Sequence, residues 1–255
     1  MEILSADGKV ALVSGAGSGL GRHFAVTLAD AGATLALAAR RREKLDETAA
    51  MIRDAGGTAI CLDLDVTDSL SVTSCVRQVE SELGAPDILI NNAGIARQAF
   101  LTDISEEDWD AVLDTNLKGV FLMAQATAGS MIRAGKPGSI VNIASVLGLD
   151  ISKALASYIA AKSALVQLTK AMALEWSRYG IRVNALAPGY FVTEINEAQF
   201  RKGPGHDLVR EHVPMGRVGE LPEISAPLLL LATDAGSYMT GSIVAVDGGH
   251  LCRGL

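Results

Sequence analysis

Tyr158 and Lys162 stand four residues apart in Ala156-Ser157-Tyr158-Ile159-Ala160-Ala161-Lys162. The stretch is Ala-rich and free of Pro and Gly, and its apolar periodicity continues to about Tyr179, so it reads as a helix. Four residues make roughly one helical turn, which puts the phenol and the ammonium on one face. A free phenol, with a pKa of roughly 10, is a poor base at neutral pH. A fixed cation beside it favours the phenolate, lowers that pKa and makes Tyr158 a usable acid/base. A surface Tyr beside a surface Lys would show the same spacing, so the weight of the pair depends on the rest of the chain.

A second group is the run Ser14-Gly15-Ala16-Gly17-Ser18-Gly19-Leu20-Gly21. A glycine-rich turn between a first strand and a helix brings backbone N–H groups and a helix N-terminus to a pyrophosphate. An ordinary tight turn is the alternative, and the spacing is not the strict G-x-G-x-x-G: counted from Gly15 the last position is Leu20, and from Gly17 it is Arg22. A third group, Ala38-Ala39-Arg40-Arg41-Arg42, ends the second apolar run. An acid there would bond the adenosine ribose of NAD and repel a 2′-phosphate, whereas guanidinium groups pair with one, so NADP(H) is favoured over NAD(H). Glu43 could neutralise part of that charge, and Ser18 adds no second cation.

The elements that must position these groups alternate along the chain. Strand-like runs fall at Val10–Val13, Thr34–Ala38, Ala59–Leu62, Asp87–Ile90, Ser139–Ile143, Arg182–Ala187 and Ile243–Val246. Helical runs fall at Leu20–Ala31, Arg42–Asp54, Ser69–Leu83, Glu106–Arg133, the Tyr158 segment and Glu223–Ala232. The strands are short, apolar and bounded by Gly, Asp or Asn, as in parallel strands covered on both faces. The alternation predicts one doubly wound α/β domain, a Rossmann fold with a parallel sheet of about seven strands and helices on both faces. Between Pro188 and Pro222 no strand is expected. Such a stretch is either a lid or a surface insertion; because it follows a strand end, the substrate-lid reading over about 190–215 is favoured.

Several polar residues fall on the same predicted rim. Asp65 and Val66 follow the third strand, and Asn92, Ala93 and Gly94 follow the fourth, where single residues of these types also serve as ordinary caps and turns. Ser145 ends the fifth strand, thirteen residues before Tyr158. Asn116 interrupts an apolar helix beside Gly119, which suggests a distorted turn with a purpose.

Gly15-x-x-x-Gly19-x-Gly21, Asn91-Asn92-Ala93-Gly94, Asn116, Ser145, Tyr158-x-x-x-Lys162 and Pro188-Gly189-x-x-x-Thr193 stand in the order and at the spacings of the short-chain dehydrogenase/reductase family. The chain resembles that family from Lys9 to Gly249. The resemblance implies hydride transfer between a nicotinamide and a ketone or secondary alcohol. It assigns acid/base work to Tyr158, the substrate oxygen to Ser145, and the nicotinamide ribose together with the Tyr158 pKa to Lys162. Asn116 would support a water relay from Lys162. It also implies cofactor contacts from Gly15, Ser18, Gly19, Leu20, Gly21, Arg40, Arg41, Asp65, Val66, Asn92, Ala93, Gly94, Tyr158, Lys162, Pro188, Gly189 and Thr193. Ser14 stands where the family usually has Thr, and either hydroxyl can make the same bond. No catalytic position is missing, which weighs against a cofactor-sensing scaffold on the same fold.

The resemblance leaves the substrate open among carbonyl compounds, 3-oxoacyl thioesters, and sugars, polyols or steroids. Leu147, Leu149, Ile151, Tyr190, Phe191 and Phe200 are candidates for an apolar pocket and lid. Arg97 could clamp an anion, although a solvated rim arginine is the commoner case, and His206 and His212 read as surface histidines. A homotetramer is implied, with Ala164, Leu168, Ala171, Met172 and Trp176 able to face both sheet and partner.

Composition narrows the partners further. The 255 residues are 49% hydrophobic with 26 Gly and only 4% aromatic, which suits a globular α/β chain with an aliphatic core. A net charge of −7 argues against nucleic-acid or anionic-membrane binding, and no run has the length of a membrane span or the pattern of a signal peptide. The three cysteines, widely spaced and without Cys-x-x-Cys, point to reduced thiols in a cytoplasmic setting, with no metal site expected.

Overall fold

The computed structural model describes residues 2–193 and 204–252. Seven strands form one parallel sheet: β1 (Val10–Ser14), β2 (Thr34–Ala39), β3 (Thr58–Asp63), β4 (Ile88–Asn91), β5 (Gly138–Ile143), β6 (Ile181–Pro188) and β7 (Ile243–Val246). Their order is β3-β2-β1-β4-β5-β6-β7, with every neighbouring pair parallel. The chain reverses direction across the sheet between β1 and β4, and a crevice opens there at the strands' C-terminal ends.

Helices cover both faces because β1, β2, β4 and β5 are apolar on both sides. On one face α1 (Gly19–Asp30), α2 (Arg42–Asp54) and α8 (Ser225–Ala232) bury Phe24, Leu28, Leu45, Ile52, Leu228 and Leu231. On the other, α3 (Ser69–Leu83), α5 (Gly119–Arg133) and α6 (Ala156–Trp176) bury Val72, Val76, Met123, Met131 and Met172. The remaining α-helices among the described residues are α4 (Glu106–Leu113) and α7 (Pro204–His212).

The expected long helix over Glu106–Arg133 is divided. Between α4 and α5, Asp114–Lys118 forms a turn of π-helix centred on Asn116. Sequence periodicity hides this, since a single wide turn keeps the chain helical while shifting the register by one residue. The expected helix at Glu223 begins as a 3₁₀ turn, Leu221–Ile224. In the stretch read as a lid, Phe191 bridges Gly219 and α7 follows Gly203. Phe200 lies outside the described residues, as does the side chain of His206.

The apolar stripe on α6 is split by the packing. Met172 is buried, Leu168 and Trp176 are half-buried against the core, and Ala164 and Ala171 are exposed. No helix among the described residues is long and apolar enough to cross a membrane.

Candidate active site

A cavity of about 480 Å³ lies over the C-terminal ends of β1, β2 and β4. It gathers Gly15, Ser18, Gly19, Leu20, Gly21, Arg40, Arg41, Asp65, Val66, Asn92, Ala93, Gly94 and Thr193, residues spread over most of the chain. Gly17, Lys44, Leu64, Ile95 and Thr115 also line it and were not singled out from sequence.

The glycine turn is built to approach something closely. A Cβ at Gly21 would collide with the Gly15 carbonyl and the Asn92 side chain, and Gly19 holds a positive φ of 54°. Ser18 is the N-cap of α1, but its side chain makes no capping bond. The first amides of α1 therefore lack a side-chain acceptor and are suited to an anion. Ser14 ties the turn to β4, its Oγ accepting from Asn92 N at 3.1 Å and Ala93 N at 3.2 Å. The Asn92 amide donates back to the carbonyls of Ser14 and Gly15, each at 3.2 Å. These features fit a dinucleotide diphosphate.

At the end of β2 the Arg41 guanidinium donates to Ser18 Oγ at 3.3 Å. The charge of Arg40 reaches Asp65, whose carboxyl is held below its usual range mainly by hydrogen bonds from the Thr67 hydroxyl and amide, with a smaller pull from Arg40. Arg42 turns away to Asp46, 3.2 Å distant.

The catalytic candidates lie just beyond β5 and on α6, outside the lining of this cavity. Ser145 N-caps a 3₁₀ turn, Val146–Gly148, and its Oγ accepts from Leu147 N at 3.1 Å. That bond leaves the hydroxyl proton available to donate. Lys162 is 4% exposed, donates to the Ile143 carbonyl at 2.6 Å, and lies 5.6 Å from the centroid of the Tyr158 ring. Burial drives its pKa down to about 8.

This corrects one sequence expectation. Tyr158 and Lys162 do share a face, but the tyrosine pKa is raised, not lowered. Burial of the phenol dominates, and Ser145 pulls only partly back. The ammonium lies against the ring and spends a bond on a backbone carbonyl, so desolvation wins over attraction.

Asn116 is fully buried and grips the loop after β4. Its Oδ1 accepts from Ile95 N at 2.8 Å and its Nδ2 donates to Ile95 O at 2.7 Å. The π-turn thus aims a mid-helix side chain sideways at the cavity rim, next to Gly94. Behind the site a buried chain of bonds joins the sheet to α6. Asn91 Nδ2 donates to Asn142 Oδ1 at 2.9 Å, Asn142 Nδ2 to Thr169 Oγ1 at 3.0 Å, and Thr169 Oγ1 to Leu165 O at 2.8 Å. Asn142 and Thr169 were not singled out; a polar residue inside an apolar strand or helix was the available signal.

Pro188 and Gly189 lie at the end of β6, where Gly189 N donates to Val246 O at 2.9 Å, and they stand apart from the cavity lining. A Cβ on Gly189 would come within 2.7 Å of Asp247 Cα, so glycine lets the two strand ends close together. Of the proposed pocket residues, Leu147 is buried, while Leu149 and Ile151 are exposed. Phe191 packs into the core and also faces a smaller cavity of about 240 Å³ with Tyr190, Val213 and Met215. Arg97 pairs with Asp108 at 3.3 Å on the surface, which favours the rim reading. A buried residue that sequence reasoning missed, His250, has its Nε2 3.5 Å from Asp150 and its ring edge-on to Tyr190.

The chain is similar to known proteins over nearly its whole length. A family model described as "Enoyl-(Acyl carrier protein) reductase" matches residues 15–250. The chain is 40% identical over 248 residues to gluconate 5-dehydrogenase of Gluconobacter oxydans, covering 97% of this chain and 96% of that protein. It is 39% identical over 246 residues to the 3-oxoacyl-[acyl-carrier-protein] reductase of Thermotoga maritima, covering 95% and 98%. The crystal structure of a gluconate 5-dehydrogenase from Burkholderia cenocepacia in complex with NADP and tartrate superposes with a TM-score of 0.94 at 39% identity, covering 99% of each chain.

Proposed function

The chain belongs to the short-chain dehydrogenase/reductase family, and within it we propose an NADP(H)-dependent enzyme that interconverts a ketone and a secondary alcohol on a small molecule. The observation that carries this reading is a glycine-lined cradle with cations at the end of β2, together with Ser145, Tyr158 and Lys162 brought into contact where β5 meets α6. The dinucleotide, when bound, supplies or accepts the hydride.

The rest of the chemistry belongs to the protein. Tyr158 protonates the carbonyl oxygen in reduction and takes the proton back in oxidation, while the Ser145 hydroxyl donates to that oxygen. A raised pKa keeps the free protein's Tyr158 protonated at neutral pH, as a proton donor for reduction requires. Lys162 holds the nicotinamide ribose and, when charged, favours the phenolate. The π-turn at Asn116 supports a proton relay from Lys162. With the dinucleotide bound, Asp65 and Val66 would hold the adenine, Asn92, Ala93 and Gly94 the riboses, and Pro188, Gly189 and Thr193 the carboxamide. The segment 190–215, which follows β6 in the chain, is assigned as the substrate lid. The outward faces of α5 and α6, with Phe121, Ile132 and Leu174 exposed, form the contacts of a homotetramer. Three unpaired cysteines accord with a cytoplasmic setting.

For the substrate, the likeness to proteins named gluconate 5-dehydrogenase supports a hydroxylated acid, and the likeness to a 3-oxoacyl-[acyl-carrier-protein] reductase keeps an acyl thioester as the second reading.

The test is Tyr158→Phe, with turnover followed at the nicotinamide absorbance and NADPH binding by fluorescence. Turnover is expected to vanish while binding persists; unchanged turnover overturns the catalytic assignment. A panel of gluconate-type acids and 3-oxoacyl thioesters then discriminates between the substrate classes.

A further inference from the structure

Three cations line the adenosine end of the cavity: Arg40, Arg41 and Lys44. Arg41 already touches Ser18. Lys44 lies in the first turn of α2, and its stem sits directly over the glycine loop. A Cβ at Gly17 would come within 2.9 Å of Lys44 Cβ, so this glycine is what lets α2 sit so close.

The ammonium of Lys44 is engaged with Glu47, its Nζ 2.6 Å from Oε1. The other oxygen of Glu47 accepts from Arg22 Nη2 at 2.8 Å. Arg22 is anchored independently of Lys44: the same Nη2 donates to the Gly17 carbonyl at 2.7 Å and its Nε to Thr48 Oγ1 at 3.2 Å. Thr48 in turn donates to the Ala16 carbonyl at 3.0 Å. Glu47 therefore keeps a cationic partner if Lys44 leaves. Lys44 is half-exposed on a flexible stem, and its pair with Glu47 is a surface one of small worth. A dianionic phosphate beside Ser18 and Arg41 is a stronger acceptor than a shared carboxylate.

We propose that Lys44 is a third cation of the 2′-phosphate subsite, held on Glu47 in the free protein and released to the phosphate because Arg22 retains that carboxylate. This rests on the NADP(H) reading above. Arg22 is then a positioning residue: it ties the glycine loop to α2 and keeps Glu47 from following Lys44 into the cavity.

The experiment is titration of the intact protein with NADPH, NADH and adenosine 2′,5′-bisphosphate, by fluorescence or calorimetry. Lys44→Ala is expected to weaken NADPH and the bisphosphate about tenfold, the loss of one charge-assisted bond, and NADH under about twofold. Lys44→Arg should retain most of the affinity. Glu47→Gln, which frees the ammonium, should tighten NADPH by about two- to threefold. Arg42→Ala, whose charge pairs with Asp46 outside the cavity, serves as the control for general surface charge. If the wild type prefers NADPH and Lys44→Ala leaves that preference intact, or weakens both dinucleotides alike, the role of Lys44 is overturned and the cofactor reading stands. If the wild type binds NADH as tightly as NADPH, the cofactor reading falls first.

Discussion

Lys162→Met should make the cofactor-free protein more stable while abolishing turnover. The lysine is buried, and desolvation lowers its pKa from 10.5 to about 8. That fall corresponds to roughly 3 kcal/mol of unfavourable charge burial. Methionine fills a similar volume without the charge, but it leaves the Ile143 carbonyl without its 2.6 Å donor, a loss of about 1–2 kcal/mol. The net gain near pH 7 is about 2 kcal/mol, or roughly 5 °C in Tm for a chain of this size. The gain has a definite pH dependence. Below pH about 8 the folded and unfolded chains both hold the proton, and the cost is fully present. Between about 8 and 10.5 the folded chain has released it and the unfolded chain has not, so wild-type stability rises relative to the variant. Above that window only the lost hydrogen bond remains, and the variant becomes the less stable of the two. Urea unfolding of both proteins at pH 7 and pH 9.5 measures the effect, with other titrating groups cancelling in the difference. A variant less stable than wild type at pH 7, or a stability difference unchanged between the two pH values, refutes the reasoning.

Two further outcomes follow from the packing of the site. Gly21→Ala places a methyl group against the Gly15 carbonyl and the Asn92 side chain; dinucleotide affinity should fall more than about tenfold and stability by ~2 kcal/mol, measured by fluorescence titration and thermal melting. Asn116→Ala removes both bonds to Ile95 inside a fully buried setting and should cost about 2–3 kcal/mol in chemical denaturation; a near-neutral result would show that the side chain is not the clamp its geometry implies.

Much of the fold is legible in one dimension. The helices Arg42–Asp54 and Ser69–Leu83 and the strand Ile243–Val246 coincide with their expected bounds, because hydrophobic period and terminal residues are local properties. The π-turn is a different case. Asn116 beside Gly119 marks a disturbance, but which hydrogen-bond register results depends on what the turn packs against. A Cβ at Gly119 would come within 2.8 Å of a Val66 methyl carbon, a contact made across some fifty residues of chain.

The residue types of the site, their order and the glycine loop were readable from the chain alone, since a turn that must approach a diphosphate and a helix that must present two groups on one face leave local marks. Tertiary structure alone decided the electrostatics. The sign of the Tyr158 shift depends on how much water the surrounding elements exclude and on where the Lys162 ammonium finds its acceptor. The grouping of Arg22, Lys44 and Glu47 depends on how closely α2 settles over Gly17. Burial and the direction of a long side chain are properties of the packed whole, and charge responds to both.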